Sequence, residues 1–375
     1  MSSFPTMKRV LLAAAFCLAA GRAGAAPQIT VLTYNTSGNG TTNWSTNAPQ
    51  VQAIGRELVY LNPDIITFQE IPYTNTWQMA NWVKAFLPGF YLATNSGTDG
   101  YIRSAIASRF PINRSHSWMA RSNLTYFGYD GPFTRDLFEA EIAVPGFAAP
   151  LHVFTTHLKS GTDATSQQRR AAEAAAISNF LFTVFLPTNI APYLLTGDMN
   201  EDFDRSSNPQ ALSKLTNALT GLQLTMPTNP VSGSELTISI QTGLYNRYDY
   251  ILPCAMLFSN IAASEVFRTD LLTNFPPNLF SNDDKVASDH LPVLMVFKNP
   301  FDTPFKLLSV GVTNRALSLK WESQYNRSFN VEASTNLVSW TPFATNLITT
   351  TTNPVFTFTT NATGSPQFFR IWRAP

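Results

Sequence analysis

The stretch Tyr193-Leu194-Leu195-Thr196-Gly197-Asp198-Met199-Asn200 decides how this chain reads. An apolar run ends in Thr196-Gly197, and a carboxylate, Asp198, and a carboxamide, Asn200, follow two residues apart. If the run is a buried strand, its period of 2 sends Asp198 and Asn200 to one side at the C-terminal mouth. Gly197 lets the backbone turn there without a side chain in the way. A carboxylate beside a carboxamide suits holding a water nucleophile and one phosphate oxygen. The competing reading is an Asx-rich turn after a strand.

The same arrangement recurs along the chain, which favours the first reading. Ile29–Tyr34 is a β-rich run closing on Asn35, Asp64–Phe68 closes on Gln69-Glu70, and Leu151–Thr156 closes on His157. Asp249 lies within the strand-like Tyr248–Leu252, and Ser288-Asp289-His290 stands just before Leu291–Phe297. Taken singly, a histidine or carboxylate at such a place is more often structural than catalytic. Recurrence changes the weighing, because open sheets place their sites at strand C-termini. Glu70, Asp289 and Asn35 make an oxygen-rich set for a hard divalent cation such as Mg²⁺. His290 with Asp249 has the composition of a base oriented by a carboxylate. His157 and Asn200 can donate hydrogen bonds to charge developing on a phosphoryl group.

The intervening segments alternate helix and strand. Val51, Ile54, Leu58 and Leu61 have helical spacing, with Pro49 in the first turn and Asn62-Pro63 as the stop. Residues 74–87 and Asp163–Phe185 also read as helices, and Asn208-Pro209 as the cap and first turn of one running to Gly221. Tyr101–Ser108 and Arg135–Ala143 read as strands, with Ser115–Gly131 a long aromatic-rich loop between them. From about Lys298-Asn299-Pro300 the composition shifts to Thr, Asn, Ser and aromatics. Short strands recur at 307–312, 316–321, 329–332, 355–358 and 368–372, which predicts a small all-β module over 305–375.

The N-terminus predicts export. Lys8 and Arg9 precede the apolar Val10–Ala20, and Ala23-Gly24-Ala25 fits a cleavage site, so residues 1–25 read as a signal peptide. The expected location is therefore secreted or periplasmic, and no other run is long enough to span a bilayer. Loss of Lys8, Arg9 and Arg22 takes 25 basic residues to 22 against 24 acidic ones, a mature net charge of −2. That excludes a global basic footprint for nucleic acid, so any polyanion must be held by local contacts or metal. Cys17 leaves with the signal. Cys254 is then alone in an apolar setting, which excludes an intrachain disulfide and suggests an inert buried thiol.

In order, Tyr34-Asn35, Gln69-Glu70, Thr156-His157-Leu158, Gly197-Asp198-Met199-Asn200, Asp249-Tyr250-Ile251 and Ser288-Asp289-His290 resemble the endonuclease/exonuclease/phosphatase superfamily, the DNase I-like proteins. Ala105–Ile112 and His157–Ser160 followed by Arg169-Arg170 are similar to its secreted bacterial members. The resemblance covers roughly 28–298 and implies an α/β fold, a four-layer sandwich of two β-sheets flanked by helices, over 26–299. It implies in-line phosphoester hydrolysis with Mg²⁺, or Mn²⁺ or Ca²⁺ in its place. Glu70 and Asp289 would hold the metal with Asn35 nearby, and His290, paired with Asp249, would be general base or transition-state stabiliser. Asp198 and Asn200 would orient the water and His157 would bind phosphate. Tyr126 stands as the counterpart of the abasic-site enzymes' tyrosine. Arg135 is either a phosphate contact or a surface strand charge. No residue is evident as the carboxylate that pairs with the first histidine in DNase I.

The terminal module resembles fibronectin-III-like sandwiches, through Phe329–Leu337 with Trp340, and would bind a surface or glycan or act as a tether. The expectation is a secreted, monomeric, metal-dependent phosphodiesterase acting on DNA or RNA. Arg103, Arg109, Arg114, Arg121 and Arg135, with Tyr126, Phe127, Tyr129 and Phe133 interleaved among the later ones, suit phosphate contacts plus base stacking; the alternative is a solvated, partly buried cover. A phosphomonoesterase or sphingomyelinase on the same scaffold is the second reading. A catalytically inactive binding protein is the third, and the complete polar set argues against it.

Overall fold

The computed structural model describes residues 28–38, 44–72, 77–206, 210–301, 305–313, 316–323, 328–348, 355–361 and 368–373. The expected signal peptide and the Asn208-Pro209 cap lie outside the described residues. Residues 27–300 form one compact unit, and residues 301–375 belong to a second.

The larger unit has eleven strands and six α-helices among its described residues. In chain order they are β1 (Gln28–Asn35), α1 (Pro49–Leu61), β2 (Ile65–Pro72), α2 (Trp77–Phe86), β3 (Tyr91–Thr94), β4 (Ile102–Ser108), β5 (Ile112–Trp118) and β6 (Leu137–Ile142). Then follow β7 (Leu151–His157), α3 (Ala164–Phe180), β8 (Tyr193–Asp198), α4 (Gln210–Leu215), β9 (Asp249–Pro253), α5 (Ala255–Phe258), β10 (Ile261–Val266), α6 (Asp283–Ala287) and β11 (Val293–Lys298). They build two mixed sheets, ordered β10-β11-β1-β2-β4-β3 and β5-β6-β7-β8-β9. The fold is thus the α/β, DNase I-like arrangement that the motif order implied.

Alternation along β1 and β2 explains the layering. Leu32, Tyr34, Ile66 and Phe68 point to one face and join Val51, Ile54 and Leu58 of α1 and Trp82 and Val83 of α2 in a buried cluster. Trp82 sits edge-on to Trp44 and Phe68 at centroid distances of 5.3 and 5.8 Å, and its Nε1 donates to Val51 O, so the indole is buried with its polar atom satisfied. Thr67 and Gln69 point the other way, to the second sheet. Thr67 Oγ1 accepts from Thr196 Oγ1 at 2.8 Å, and Gln69 Nε2 donates to Thr155 Oγ1 at 2.9 Å. The interior between the sheets is therefore stitched by paired hydroxyl and amide groups that burial would otherwise leave costly.

Helix α1 starts on Pro49 and stops where Asn62 turns left-handed (φ 46°) ahead of Pro63, as its sequence predicts. Helix α3 is capped by Asp163, which accepts from Ser166 N at 2.9 Å, and runs into a π-helical turn at Leu181–Phe185. Cys254 is buried, and its thiol is free of any disulfide. The helix expected to reach Gly221 ends at Leu215 instead. Asn217 explains this: its side chain donates to Lys214 O and accepts from Leu219 N and Thr220 N, a local bonding pattern that competes with the helix. β3, β5 and β10 lack a sequence signal, and β5 occupies the start of the expected 115–131 loop. All three are edge strands of their sheets, with little buried face to impose alternation.

The second unit carries β12 (Leu307–Thr313), β13 (Ala316–Glu322), β14 (Ser328–Ser334), β15 (Thr341–Ile348), β16 (Val355–Asn361) and β17 (Phe368–Arg373). These form two three-stranded antiparallel sheets, β12-β13-β16 and β15-β14-β17. One cluster, with Leu319, Trp321, Phe329 and Val331 at its centre, is buried between inward-facing positions of both. β15 has no counterpart among the expected strands, and it too is an edge.

Candidate active site

Three adjacent strands of the second sheet deliver one side chain each to the same level. The pairing register sets His157 of β7 opposite Asp198 of β8, and Asp198 opposite Asp249 of β9. Thr196, two residues before Asp198, bonds across to the first sheet, so the period of 2 sends Asp198 inward as well. Gly197 is required here. It has φ 131°, and a Cβ at this position would lie 1.9 Å from Thr156 O of β7.

The first sheet faces this row with Asn35 at the end of β1 and Glu70 near the end of β2. Alternation alone would turn Glu70 to the helix-covered face with Ile66 and Phe68. A register shift between Phe68 and Ile71, together with a left-handed backbone at Glu70 (φ 59°), brings it to Asn35 instead. A bulge that re-aims a side chain, at a residue uncomfortable in that conformation, is a mark of functional sites.

The Asn35 carboxamide is the hub. Its Nδ2 lies 3.2 Å from Glu70 Oε1, 2.9 Å from Asp198 Oδ2 and 3.4 Å from His290 Nε2. Ser288 holds the hub from behind, donating to Asn35 O at 2.7 Å and accepting from His290 N. His157 Nε2 is 3.4 Å from Asp198 Oδ2 and 3.9 Å from Glu70 Oε1. His290 Nδ1 is 2.8 Å from Asp249 Oδ2, and its Nε2 is 3.8 Å from Asp198 Oδ2. Thr237 completes the pair by donating to Asp249 Oδ2 at 2.6 Å. No local motif marks Thr237, and only tertiary structure brings it to Asp249.

Neighbouring charges split the protonation behaviour of the two buried histidines. Burial pulls the His290 pKa down, but Asp249, then Asp198 and Asp289, outweigh it and raise the group to about 10. His157 is held well below the ordinary range by burial and by the charges of Arg135, His290 and Lys159. Burial raises Asp198 to about 7 against the opposing pull of His290. At neutral pH the site therefore holds an imidazolium on Asp249, a neutral His157, and a carboxylate poised near neutrality.

Among the described residues, two side-chain groups have ligand atoms near enough to share a metal ion: Glu70, His157 and Asp198, and Asp198, Asp249 and His290. Asp289, expected beside Glu70, belongs to neither group, although its charge contributes to raising the Glu70 pKa after burial has done most of it. The donor set fits a divalent cation. Glu70 accepts one hydrogen bond, from Asn35, among crowded carboxylates, and Asp249 Oδ1 is buried with no partner.

The remaining expected residues fall as follows. Asn200 is left-handed (φ 51°), its N–H bonds Asp198 Oδ1 at 2.8 Å, and its Nδ2 donates to Leu158 O rather than standing beside Asp198 on a continued strand. Arg135 is buried. Its Nη1 donates to His157 O at 3.0 Å and its Nη2 pairs with Asp99 at 2.7 Å. Tyr126 is 88 % exposed on a 3-10 turn. Arg109 is tied to Asp64 and Arg114 to Glu139 and Glu141, while Tyr129 lies under Arg169 and Phe133 is buried. Much of the arginine and aromatic set is thus engaged within the fold. His157 Nδ1 is buried without a partner, so the carboxylate missing from the motifs is also missing here among the described residues.

The polar strand ends thus converge between the two sheets on one buried, carboxylate-rich site. The Endonuclease/Exonuclease/phosphatase family matches residues 32–290, and the chain belongs to it. No curated protein is a significant sequence match. Among solved structures, selenomethionine TDP2 from Caenorhabditis elegans is 12% identical with a TM-score of 0.50, covering 72% of this chain and 74% of that one; this likeness is one of fold. Sphingomyelinase C from Streptomyces griseocarneus is 19% identical with a TM-score of 0.48, covering 72% and 99%. The Neisseria 3′ phosphatase NExo bound to product DNA hairpin is 18% identical with a TM-score of 0.49, also covering 72% and 99%.

Proposed function

We propose that this protein is an exported, divalent-metal-dependent phosphodiesterase whose substrate is nucleic acid. The observation that carries the reading is the row His157, Asp198, Asp249 on neighbouring strands, closed by His290, Asn35 and Glu70 within hydrogen-bonding reach. Export rests on the charged, apolar and small-residue segments of 1–25. Among the described residues no helix is long and apolar enough to cross a membrane. Nucleic acid is favoured by the exposed rings of Tyr101 and Tyr126, which offer stacking faces to unpaired bases.

The roles follow from the protonation states. A divalent cation held at Glu70, with Asn35 beside it, would neutralise charge on the phosphoryl oxygens. Asp198, near 7, accepts a proton from the attacking water, and Asn200 fixes its Oδ1 through the backbone N–H. His290, kept charged by Asp249, donates from Nε2 to the developing phosphorane charge. His157, neutral, binds a phosphate oxygen, and Arg135 acts through the carbonyl of His157 that it holds.

The test is hydrolysis by the mature protein of plasmid DNA, single-stranded DNA, RNA and sphingomyelin, with and without exhaustive chelation. DNA cleavage that needs the metal and falls steeply with salt is expected. Full activity after chelation would sink the metal-dependent mechanism, and lipid hydrolysis without nucleic-acid cleavage would overturn the substrate assignment.

A further inference from the structure

We infer that Lys159 is a phosphate-binding residue of this site, and that buried Glu173 and Arg170 are the positioning residues that aim it; the inference rests on the phosphoesterase reading above. Lys159 lies two residues beyond His157, in the segment leaving β7. Its backbone is fixed on both sides. Glu173 Oε2 accepts from Lys159 N at 2.8 Å, and Arg170 Nη1 donates to Lys159 O at 2.8 Å and Gly161 O at 2.9 Å. Leu158, between the two, donates from its N to Asp198 O and accepts at its O from Asn200 Nδ2.

Glu173 is fully buried and Arg170 nearly so. Glu173 also accepts from Thr134 N and Thr134 Oγ1, just ahead of Arg135. Burying charged groups from a helix to grip the backbone of a short connecting segment is costly unless the segment must be held in one place. Within 158–161, Leu158 is packed away, and Lys159 is the residue carrying charge chemistry. Lys159 is half-buried, and its ammonium makes no hydrogen bond or ion pair among the described residues. It is close enough that its charge helps keep His157 neutral, after burial, Arg135 and His290.

The charge balance calls for such a group. Glu70, Asp198, Asp249 and Asp289 crowd a site whose substrate is itself an anion; the His290 imidazolium is paired with Asp249, a bound divalent cation would be shared among carboxylates, and Arg135 is committed to Asp99. An ammonium carried on this held backbone, near enough for His157 to feel its charge, offers a charge-assisted contact to a non-bridging phosphate oxygen.

The experiment measures binding of inorganic phosphate to the full mature chain by ³¹P NMR, beside hydrolysis of bis(p-nitrophenyl) phosphate. Wild type, Lys159→Met, Lys159→Arg and Glu173→Gln are compared. Loss of one charge-assisted contact predicts about tenfold weaker phosphate binding and about tenfold higher KM for Lys159→Met, with kcat within about threefold. Lys159→Arg should recover most of both, which a merely structural lysine would not do, and Glu173→Gln should resemble a weaker Lys159→Met. Phosphate binding unchanged in Lys159→Met, absent from wild type, or equally poor in Lys159→Arg overturns the inference. Wild type that binds phosphate through Lys159 yet hydrolyses no phosphodiester supports this contact and overturns the phosphodiesterase reading instead.

Discussion

Replacing Glu57 by Gln should make the protein more stable at pH 8 and nearly unchanged at pH 4.5. Glu57 lies on α1 with no exposed surface. Its Oε2 accepts from Tyr34 OH at 2.7 Å, and its Oε1 is buried without a partner. Burial, with the charges of Asp284 and Asp283, raises its pKa from 4.5 to about 8 against the opposing pulls of Tyr34 and Arg56. The unfolded chain loses this proton near 4.5, the folded chain only near 8. Between those values the folded state binds more protons, so stability falls as pH rises through the window. For a fully buried carboxyl the loss is at most about 5 kcal/mol, and relaxation of the site reduces it. Glutamine keeps an acceptor for Tyr34 and never ionises. Urea unfolding of both proteins at pH 4.5, 6, 7 and 8 isolates the effect, because other titrating groups cancel in the difference. A difference that stays constant across the range would mean that Glu57 does not hold its proton in the folded state.

The other expectations are as follows. His290→Ala should lower kcat on a small phosphodiester by on the order of 10²–10⁴-fold, and a loss below about threefold would make His290 structural. Gly197→Ala should destabilise by more than about 2 kcal/mol in a denaturant titration, because the added carbon meets a backbone carbonyl of β7 in a backbone conformation L-residues avoid; a neutral effect would contradict the close approach. A chain ending at Asn299 should fold and hydrolyse a small soluble phosphodiester, since no residue of the site lies beyond His290; precipitation or inactivity would show that the terminal unit is needed.

The site is legible in sequence where it follows from strand periodicity. Asn35, His157 and Asp198 sit at the ends of buried strands, so a run of alternating or apolar residues announces both the strand and the polar group that closes it. Edge strands such as β5, with five charged or polar residues in seven, carry no such pattern, and they go unseen. The direction of Glu70 is not legible either. Its motif places it in the site, but period counting alone sends it to the wrong face, and the bulge that corrects this depends on the partner strand. Supports such as Thr237, Glu173 and Ser288 act through the backbone or a single carboxylate, and only the closed fold reveals what they touch. The engagement of Arg109 and Arg114 with carboxylates is likewise a tertiary fact, and it thins the phosphate-contact face that spacing alone would suggest.

Two residues at the mouth of the site hold left-handed backbone, and their histories under selection should differ. At Asn200 the residue that chemistry wants is also one that the conformation accepts, so nothing is lost by keeping it. At Glu70 the demands conflict, because glycine or asparagine would relax the backbone by roughly 1 kcal/mol while removing the carboxylate. Selection for folding alone, as in a laboratory screen for heat resistance, would therefore accept Glu70→Gly readily and yield a sturdier, inactive protein. A lineage released from its catalytic duty should drift at this position first.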